Sequence, residues 1–501
     1  MSRHLLVALH LLSVVPVIAR AEIVACPDPE APAWVEVASP HFLVRTDAGD
    51  RVARDAAQHL ERLRVATVRS AFGGKLEAPG VTEVVILRDD EEMADLTGRK
   101  ESDEMLGGFF QVYLGRSRIV ATRKFLPYSP SLHTLQHEMA HQLMAHAFPR
   151  QPRWFSEGMA EFLAAVEVNE AGDRPVAVLG KPPPPWKWQE KVSASEVLSW
   201  ACGGAREVPC YQSAWWLVHH LMNSRADAFA DFQRRLARAE DPAAAWKASF
   251  PDLDPASAKA MDAFDTVLRD YSRSGRYGVA KVPFDEPKLT LTSRPMACAE
   301  VRATYAEMVM NPFQVDPAAG PRRAAAEKAA SLKLDPSGLP VWRLLALDGA
   351  SPETFSLAAR AVKASPGDWR GWYLVLASAG EAPANQSLRK EAIEKLASAP
   401  PDDVMVLSDL TWALLGQGDD GRAVAVAARA VKLAPWEPLV VDAWAVVQAS
   451  LGQCKEARAA IQRAVDLATG EHGGGKAPYL ERQQVIEKHC AGAPAPPKPK
   501  G

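Results

Sequence analysis

The sequence lacks any strong excess of charge of one sign. Its 501 residues include 58 Lys or Arg and 61 Asp or Glu, which leaves a formal net charge of −3. A nucleic-acid-binding protein generally presents a basic face, and neither a basic excess nor an acidic tail is seen here. Nucleic acid is therefore not an expected partner. The 48% hydrophobic and 24% charged content is that of an ordinary globular protein, and the length predicts several domains.

Long uncharged apolar runs are also missing, apart from a short one at the N-terminus. Residues 5–18 are apolar but too few to span a bilayer comfortably. Residues 19–21, Ala-Arg-Ala, then fit the small-x-small pattern of a signal-peptide cleavage site. We therefore predict a signal peptide over residues 1–21, export to the periplasm or the exterior, and no transmembrane span. The alternative is a lipoprotein anchored through Cys26, because residues 23–26 resemble a lipobox.

Cysteine is scarce, and no two of the six cysteines form a C-x-x-C pair. In an exported protein, an even number of such cysteines favours disulfides over a sulfur metal site. We expect a bond between Cys202 and Cys210, which closes a short loop, and one between Cys454 and Cys490. Cys26 then pairs with the remaining Cys298, or it is free or lipidated.

The pattern of apolar residues divides the chain into regions and predicts an α+β fold class. Residues 30–130 form a small mixed α/β subdomain, with predicted strands at 41–46 and 81–87, a helix at 51–72 and a hairpin at 107–123. Residues 131–290 are predicted to be a mainly helical subdomain. The Pro- and Ala-rich residues 491–501 are predicted to form a disordered tail.

Alanine-rich helical segments recur after residue 300. Four of them are followed by a proline, at positions 336, 366, 400 and 435, so that the intervals are 30, 34 and 35 residues. This period resembles a tetratricopeptide array, which implies a C-terminal α-solenoid over residues 300–480. Helix pairs of this kind stack because no single pair can bury its own apolar face. The array either recruits a protein partner or substrate, or serves as a passive spacer.

A short motif on a predicted helix contains the most specific chemistry. Residues 137–141 read H-E-x-x-H, and positions four apart share one helix face, so His137 and His141 can reach one metal ion. A catalytic zinc needs a third protein ligand and an open position. One known arrangement places a third histidine six residues after the second, with a glycine between. Ala147 and Met144 stand at those positions, which excludes this class.

The other arrangement takes a glutamate from a second helix, and the segment WFSEGMAEF (residues 154–162) offers Glu157. This segment resembles the second motif of the gluzincin metallopeptidases, and over residues 32–275 the chain is most similar to the M1-like domains of the peptidase MA clan. The resemblance implies a zincin fold and an exported zinc-dependent metallopeptidase (a hydrolase). It implies that His137, His141 and Glu157 bind Zn²⁺ and that Glu138 is the general base.

Other residues are candidates for supporting roles. Glu161 lies one turn after Glu157, where gluzincins place an acid that accepts the N–H of a ligand histidine. Tyr211, His219 and His220 are candidates to stabilise the oxyanion, and Tyr211 is preferred. The hairpin before the metal helix offers an edge to an extended peptide.

Several alternatives remain open from the sequence. His133, one turn before His137 on the same side, either lines the cleft or is packed or solvated, and the second is expected. His146 is rotated about half a turn round the helix from His137 and is expected on the surface. The absence of a G-x-M-E-N motif weakens an aminopeptidase assignment. The chief alternative function is a non-catalytic scaffold in which the repeats bind partners and the metalloprotease-like domain is inert. A hydrolase of non-peptide amides is a third possibility.

Overall fold

The computed structural model describes residues 26, 33–98, 108–113, 116–122, 132–171, 173–182, 192–201, 207–311, 313–468 and 475–491. The fold is mixed α/β and mainly helical, with a small N-terminal sheet, which confirms the predicted fold class at this level. The predicted signal peptide and residues 492–501 of the predicted tail lie outside the described residues. No helix within the described ranges is long and apolar enough to cross a membrane.

The elements follow one another in three regions. The first contains β1 (Val35–Ala38), β2 (Phe42–Thr46), α1 (Asp50–Phe72), β3 (Thr82–Leu87), α2 (Asp90–Thr97), β4 (Gly108–Tyr113) and β5 (Arg116–Thr122). The second contains α3 (Leu132–Ala147), α4 (Arg153–Ala164), β6 (Glu167–Ala171), β7 (Arg174–Leu179), α5 (Ala194–Ser199), α6 (Glu207–Ser224), α7 (Ala226–Ala237), α8 (Pro242–Ser249), α9 (Ala258–Ser274), β8 (Ala280–Pro283) and β9 (Thr292–Pro295).

The third region is helical. It contains α10 (Cys298–Met308), α11 (Ala319–Leu334), α12 (Trp342–Leu347), α13 (Pro352–Ala364), α14 (Trp369–Ser378), α15 (Gln386–Ser398), α16 (Val404–Gly416), α17 (Asp420–Leu433), α18 (Pro438–Ser450), α19 (Cys454–Leu467) and α20 (Ala477–Ala491). Helices α11, α13, α15 and α17 each end two residues before one of the four prolines noted in the sequence. Proline disfavours the helical conformation in the residue before it, which explains these ends. Stacking of the helices as a tetratricopeptide array remains a prediction.

The N-terminal sheet has the strand order β4-β5-β3-β2-β1-β9. The inner strands β2, β3 and β5 run parallel, and the pairs β4–β5, β1–β2 and β1–β9 are antiparallel. The predicted strands and the predicted hairpin are therefore confirmed, although the hairpin turn at residues 114–115 lies outside the described residues. Strand β9 was not predicted, and neither was the separate sheet β6-β7-β8.

Helices cover both faces of the N-terminal sheet. One face packs against α1 and α3 through a cluster that includes Leu60, Ile86, Ile119 and Met139. The other face packs against α2 and α10 through a cluster that includes Val85, Met93, Val120 and Tyr305. Helix α3, which contains the H-E-x-x-H motif, is thus held directly on the sheet, with β4 at the adjacent sheet edge.

Disulfide bonds join Cys26 to Cys298 and Cys454 to Cys490. The second pair was predicted, and the first was one of the alternatives that the sequence left open. Because the sulfur of Cys26 is in a disulfide, it is neither free nor available for a lipid, which contradicts the lipoprotein alternative. Cys210 is also disulfide-bonded, and its predicted partner, Cys202, lies outside the described residues.

Candidate metal centre

The two predicted metal helices lie side by side. Helix α3 contains His137 and His141 one turn apart, and α4 begins after Pro152, whose backbone is extended at φ −75° and ψ 152°. Proline suits the start of a helix because it has no N–H to leave unpaired. The short connection turns α4 back along α3, so Glu157 comes to lie beside the two histidines.

The three candidate ligand atoms form a small triangle. His137 Nε2 lies 2.9 Å from His141 Nε2, and the Glu157 carboxylate lies 3.4 Å from the first nitrogen and 3.3 Å from the second. Ligand atoms of a tetrahedral zinc, each about 2 Å from the ion, stand roughly 3.3 Å apart. An ion can therefore sit about 2 Å from all three atoms. Among the described residues, this is the group of His, Cys, Asp and Glu whose atoms come close enough to hold a metal.

Each ligand histidine is also held by its second ring nitrogen. His137 Nδ1 lies 3.2 Å from the carboxylate of Glu161, and His141 Nδ1 lies 3.2 Å from the hydroxyl of Ser156. Such contacts fix the ring orientation and leave the Nε2 atoms to bind the ion. Glu161 was predicted in this position. Ser156 was missed, because it occupies a position of the W-F-S-E-G segment at which the residue type gives no signal.

His133 extends this arrangement by one residue. Its Nε2 atom lies 3.0 Å from the second oxygen of Glu161, and its side chain is one-third exposed. The position one helical turn before His137, on the same side of α3, agrees with the sequence prediction. The contact with the Glu161 carboxylate was not predicted.

The charges of the centre suit a cation. Burial opposes the charged forms of His137, Glu157 and Glu161. Contact with the two carboxylates nevertheless raises the pKa of His137 well above its usual value. Burial alone would raise the pKa of both carboxyl groups. Contacts with His137 and His141 nevertheless hold the pKa of Glu157 well below its ordinary value. Contacts with His133 and His137 do the same for Glu161. In the absence of a metal the two carboxylates therefore favour the protonated form of His137. A divalent cation would replace that proton.

Glu138 lies next to the ligands and beneath the edge strand. Burial raises the pKa of its carboxyl group, and the rings of His137 and His141 and the backbone of Phe110 on β4 oppose this shift only in part. A carboxylate whose pKa is moved toward neutrality is better suited to accept a proton. Glu138, the predicted base, thus lies on the side of the His137–His141–Glu157 group that faces β4.

Of the three candidates for an oxyanion donor, Tyr211 lies beside the metal group. Its ring centroid is 6.1 Å from that of His137 and 5.4 Å from that of Trp200. His219 and His220 are buried in the core instead. His219 Nε2 bonds the carbonyl of Gly180 at 2.9 Å, and the His220 ring packs on Phe264.

The prediction that His146 is a surface histidine is wrong. The residue does lie on the side of α3 away from the metal group, but that side is covered by the C-terminal helices. The His146 ring packs edge-on against Trp436 at 4.6 Å, its Nδ1 atom lies 3.0 Å from the carbonyl of Gln142, and burial lowers its pKa.

Gly158 sets the depth at which α4 packs against α6. A Cβ atom at Gly158 would lie 2.7 Å from the carbonyl oxygen of Ala214 and 2.9 Å from Val218. Backbone atoms cannot give way as a side chain does, so the two helices would have to separate.

We therefore expect Gly158→Ala to destabilise the protein by about 1–3 kcal/mol, despite the higher helix propensity of alanine. The measurement is the midpoint of urea unfolding, which should fall. Gly416, the last residue of α16, is a matched control because a Cβ there meets nothing within 4 Å. Gly416→Ala should leave the midpoint unchanged or raise it, and equal midpoints for the two variants would contradict the packing argument.

No family model matches the sequence, and a search of curated proteins finds no match either.

Proposed function

We propose that the protein is an exported zinc metallopeptidase of the gluzincin type. The observation that supports this most directly is the triangle of His137, His141 and Glu157, whose edges of 2.9–3.4 Å suit one tetrahedral ion. The disulfides are compatible with an oxidising compartment outside the cytosol, as expected for an exported protein.

The neighbouring side chains suit hydrolysis of a peptide bond. Bound Zn²⁺ would supply a Lewis acid that lowers the pKa of a water and polarises the scissile carbonyl. Glu138 would accept the proton of the attacking water and pass it to the leaving amine. Tyr211 would donate a hydrogen bond to the oxyanion as it forms. Glu161 and Ser156 would keep both imidazoles oriented throughout.

The edge strand supports a peptide or protein substrate over other amides. Strand β4 ends the strand order and is paired only with β5 among the described strands. An extended chain can add to such an edge through backbone hydrogen bonds. The backbone of Phe110 on β4 interacts with Glu138. A peptide paired with β4 would therefore pass beside the base and the metal ligands.

We propose that the C-terminal helices form a tetratricopeptide-like array that recruits a protein partner or substrate. Two observations support this. Helices α11, α13, α15 and α17 end before prolines at a near-regular interval, and neighbouring helices from α13 to α20 pack against one another along the chain.

Metal binding and proteolysis by the full-length protein test the proposed function together. We expect one Zn²⁺ per chain after dialysis, and cleavage of an unfolded protein such as reduced casein. Treatment with 1,10-phenanthroline should abolish cleavage, and added Zn²⁺ should restore it, because the metal is required to activate the water. Zinc binding without any cleavage would support the alternative of a non-catalytic scaffold. Failure to bind zinc at all would refute the metal site itself.

A further inference from the structure

A cavity of about 1040 Å³ lies between the N-terminal sheet and the C-terminal helices. The sheet contributes Arg45 and Arg116, the reverse side of α3 contributes His146, and the C-terminal region contributes residues that include Trp342 and Arg343. None of the metal ligands lines this cavity. It is therefore separate from the proposed active site, and the two sites lie on opposite sides of α3.

Arg343 brings unused hydrogen-bond donors to this cavity. Its side chain is only 4% exposed, one Nη atom bonds Asp403, and Nε lies 3.9 Å from Glu307. Nε and the other Nη atom have no hydrogen-bond partner in the described part of the chain. Buried polar groups are nearly always paired, so two unpaired donors on a buried side chain that lines a cavity point to an acceptor that the described residues do not supply.

Arg116 is a second cation whose charge is incompletely balanced. It contacts Glu83 at 3.8 Å, but Arg118 approaches the same carboxylate at 2.6 Å and Arg45 also bonds it. Burial lowers the pKa of Arg116, and the charges of Arg343 and Arg45 lower it further. Arg116 lines the cavity, and 28% of its side chain is exposed.

The same cavity has an aromatic wall. Trp342 lies under the Arg343 guanidinium at 4.3 Å, and the Trp369 ring meets Trp342 edge-on at 5.0 Å. Aromatic surfaces next to a guanidinium accommodate an apolar group that is attached to an anion. The volume also exceeds what a single inorganic ion needs and is that of a site for a larger organic ligand.

We propose that this cavity binds an organic carboxylate that carries an apolar group, with Arg116 and Arg343 as the anion-binding residues and Trp342 and Trp369 as the apolar wall. A guanidinium matches a planar carboxylate with two parallel hydrogen bonds. Acidic side chains, among them Glu307, Asp368 and Asp403, also line the cavity, and they would repel a doubly charged phosphate more strongly than a single carboxylate. The proposal does not depend on the proposed peptidase activity.

Calorimetric titration of the full-length protein tests this site. The protein should bear Glu138→Gln, so that the probe is not cleaved. The probes are N-acetyl-Ala-Ala-Phe with a free carboxylate and the same peptide as its amide. We expect the acid to bind at least tenfold more tightly than the amide, because only the acid forms charge-assisted hydrogen bonds. Arg116→Gln should weaken binding of the acid about tenfold and remove the preference over the amide.

Arg370→Gln is the matched control. Arg370 lines the same cavity, but its donors are engaged by Asp368 at distances down to 2.5 Å, so its loss should leave binding unchanged. Unchanged melting temperatures would show that both variants fold. Any binding of the peptide acid at the metal centre would be the same in Arg116→Gln and Arg370→Gln. It therefore cannot produce a difference in affinity between these two variants. Equal binding of acid and amide, no binding at millimolar peptide, or displacement by inorganic phosphate at equal affinity would each overturn the proposal.

Discussion

Replacing Glu138 with glutamine is expected to leave zinc bound and to lower kcat/KM for peptide cleavage by about 10²–10⁴-fold, the usual contribution of a general base. Glutamine has the same shape as glutamate but cannot accept the proton of the attacking water. The three proposed metal ligands are untouched by this change, and the buried carboxyl group, whose pKa is raised, is replaced by a neutral group. Zinc content and stability should therefore stay at the level of the unmodified protein.

The measurement compares cleavage rates and zinc content for two variants. Glu91→Gln is the control, because Glu91 is exposed in the first turn of α2, on the other face of the sheet. That variant should cleave normally. If Glu138→Gln cleaved as fast as Glu91→Gln, the activity would belong to another site or to a contaminant. If Glu138→Gln lost its zinc as well, Glu138 would have a structural role that the geometry does not suggest.

The part of the site that could be predicted depends on contacts that are local in sequence. A helix fixes residues four apart on one face, so the relation of His137 to His141 follows from their spacing alone. Glu157 required one further step, a proline-containing connection short enough to return α4 along α3. Its position beside the histidines came from a resemblance to known motifs, and the distances of 3.3 and 3.4 Å agree with it.

The unpredicted features depend on contacts between distant segments. Helical spacing correctly placed His146 away from the metal, but the residue that covers it, Trp436, lies in the C-terminal region and leaves no trace in the local pattern. Strand β9 pairs with β1 across more than 250 residues, from Val35 to Pro295. The strand pair β6–β7 alternates only weakly, because charged residues occupy much of β6. Sequence periodicity reports which face is apolar, and not which partner will cover it.

The interface between the N-terminal sheet and the C-terminal helices is likewise charged as well as apolar. Glu83 and Arg118 in the sheet bond to each other, Arg118 also bonds Glu307 on α10, and Arg343 on α12 bonds Asp403. Buried pairs of this kind contribute little net stability but are costly to break singly. The Arg118–Glu307 pair fixes the position of α10 relative to the sheet. The Arg343–Asp403 pair joins α12 to the start of α16. Glu307, Arg343 and Asp403 all line the cavity beside Arg116.

Removing the proposed third ligand is expected to have the largest effect on metal binding. Glu157→Gln should lower zinc affinity by well over 100-fold, whereas Glu161→Gln should lower it by about 10–100-fold, as is usual for a residue that only orients a ligand. The geometry separates the two roles. The Glu157 carboxylate lies 3.4 and 3.3 Å from the Nε2 atoms of both histidines, whereas Glu161 reaches Nδ1 of His137, on the opposite side of that ring.

Competition with a chromophoric zinc chelator measures both affinities, and Glu91→Gln again provides the baseline. We expect the losses to rank as Glu157→Gln, then Glu161→Gln, then no loss in the control. Glu157 is 13% exposed and its charge is balanced chiefly by the two imidazoles, so the amide leaves them without the anion that a divalent cation requires. The reverse ranking would make Glu161 the ligand and would require His137 to bind the ion through Nδ1. Equal small losses of zinc affinity in both variants would mean that His137, His141 and Glu157 lie together without binding a metal.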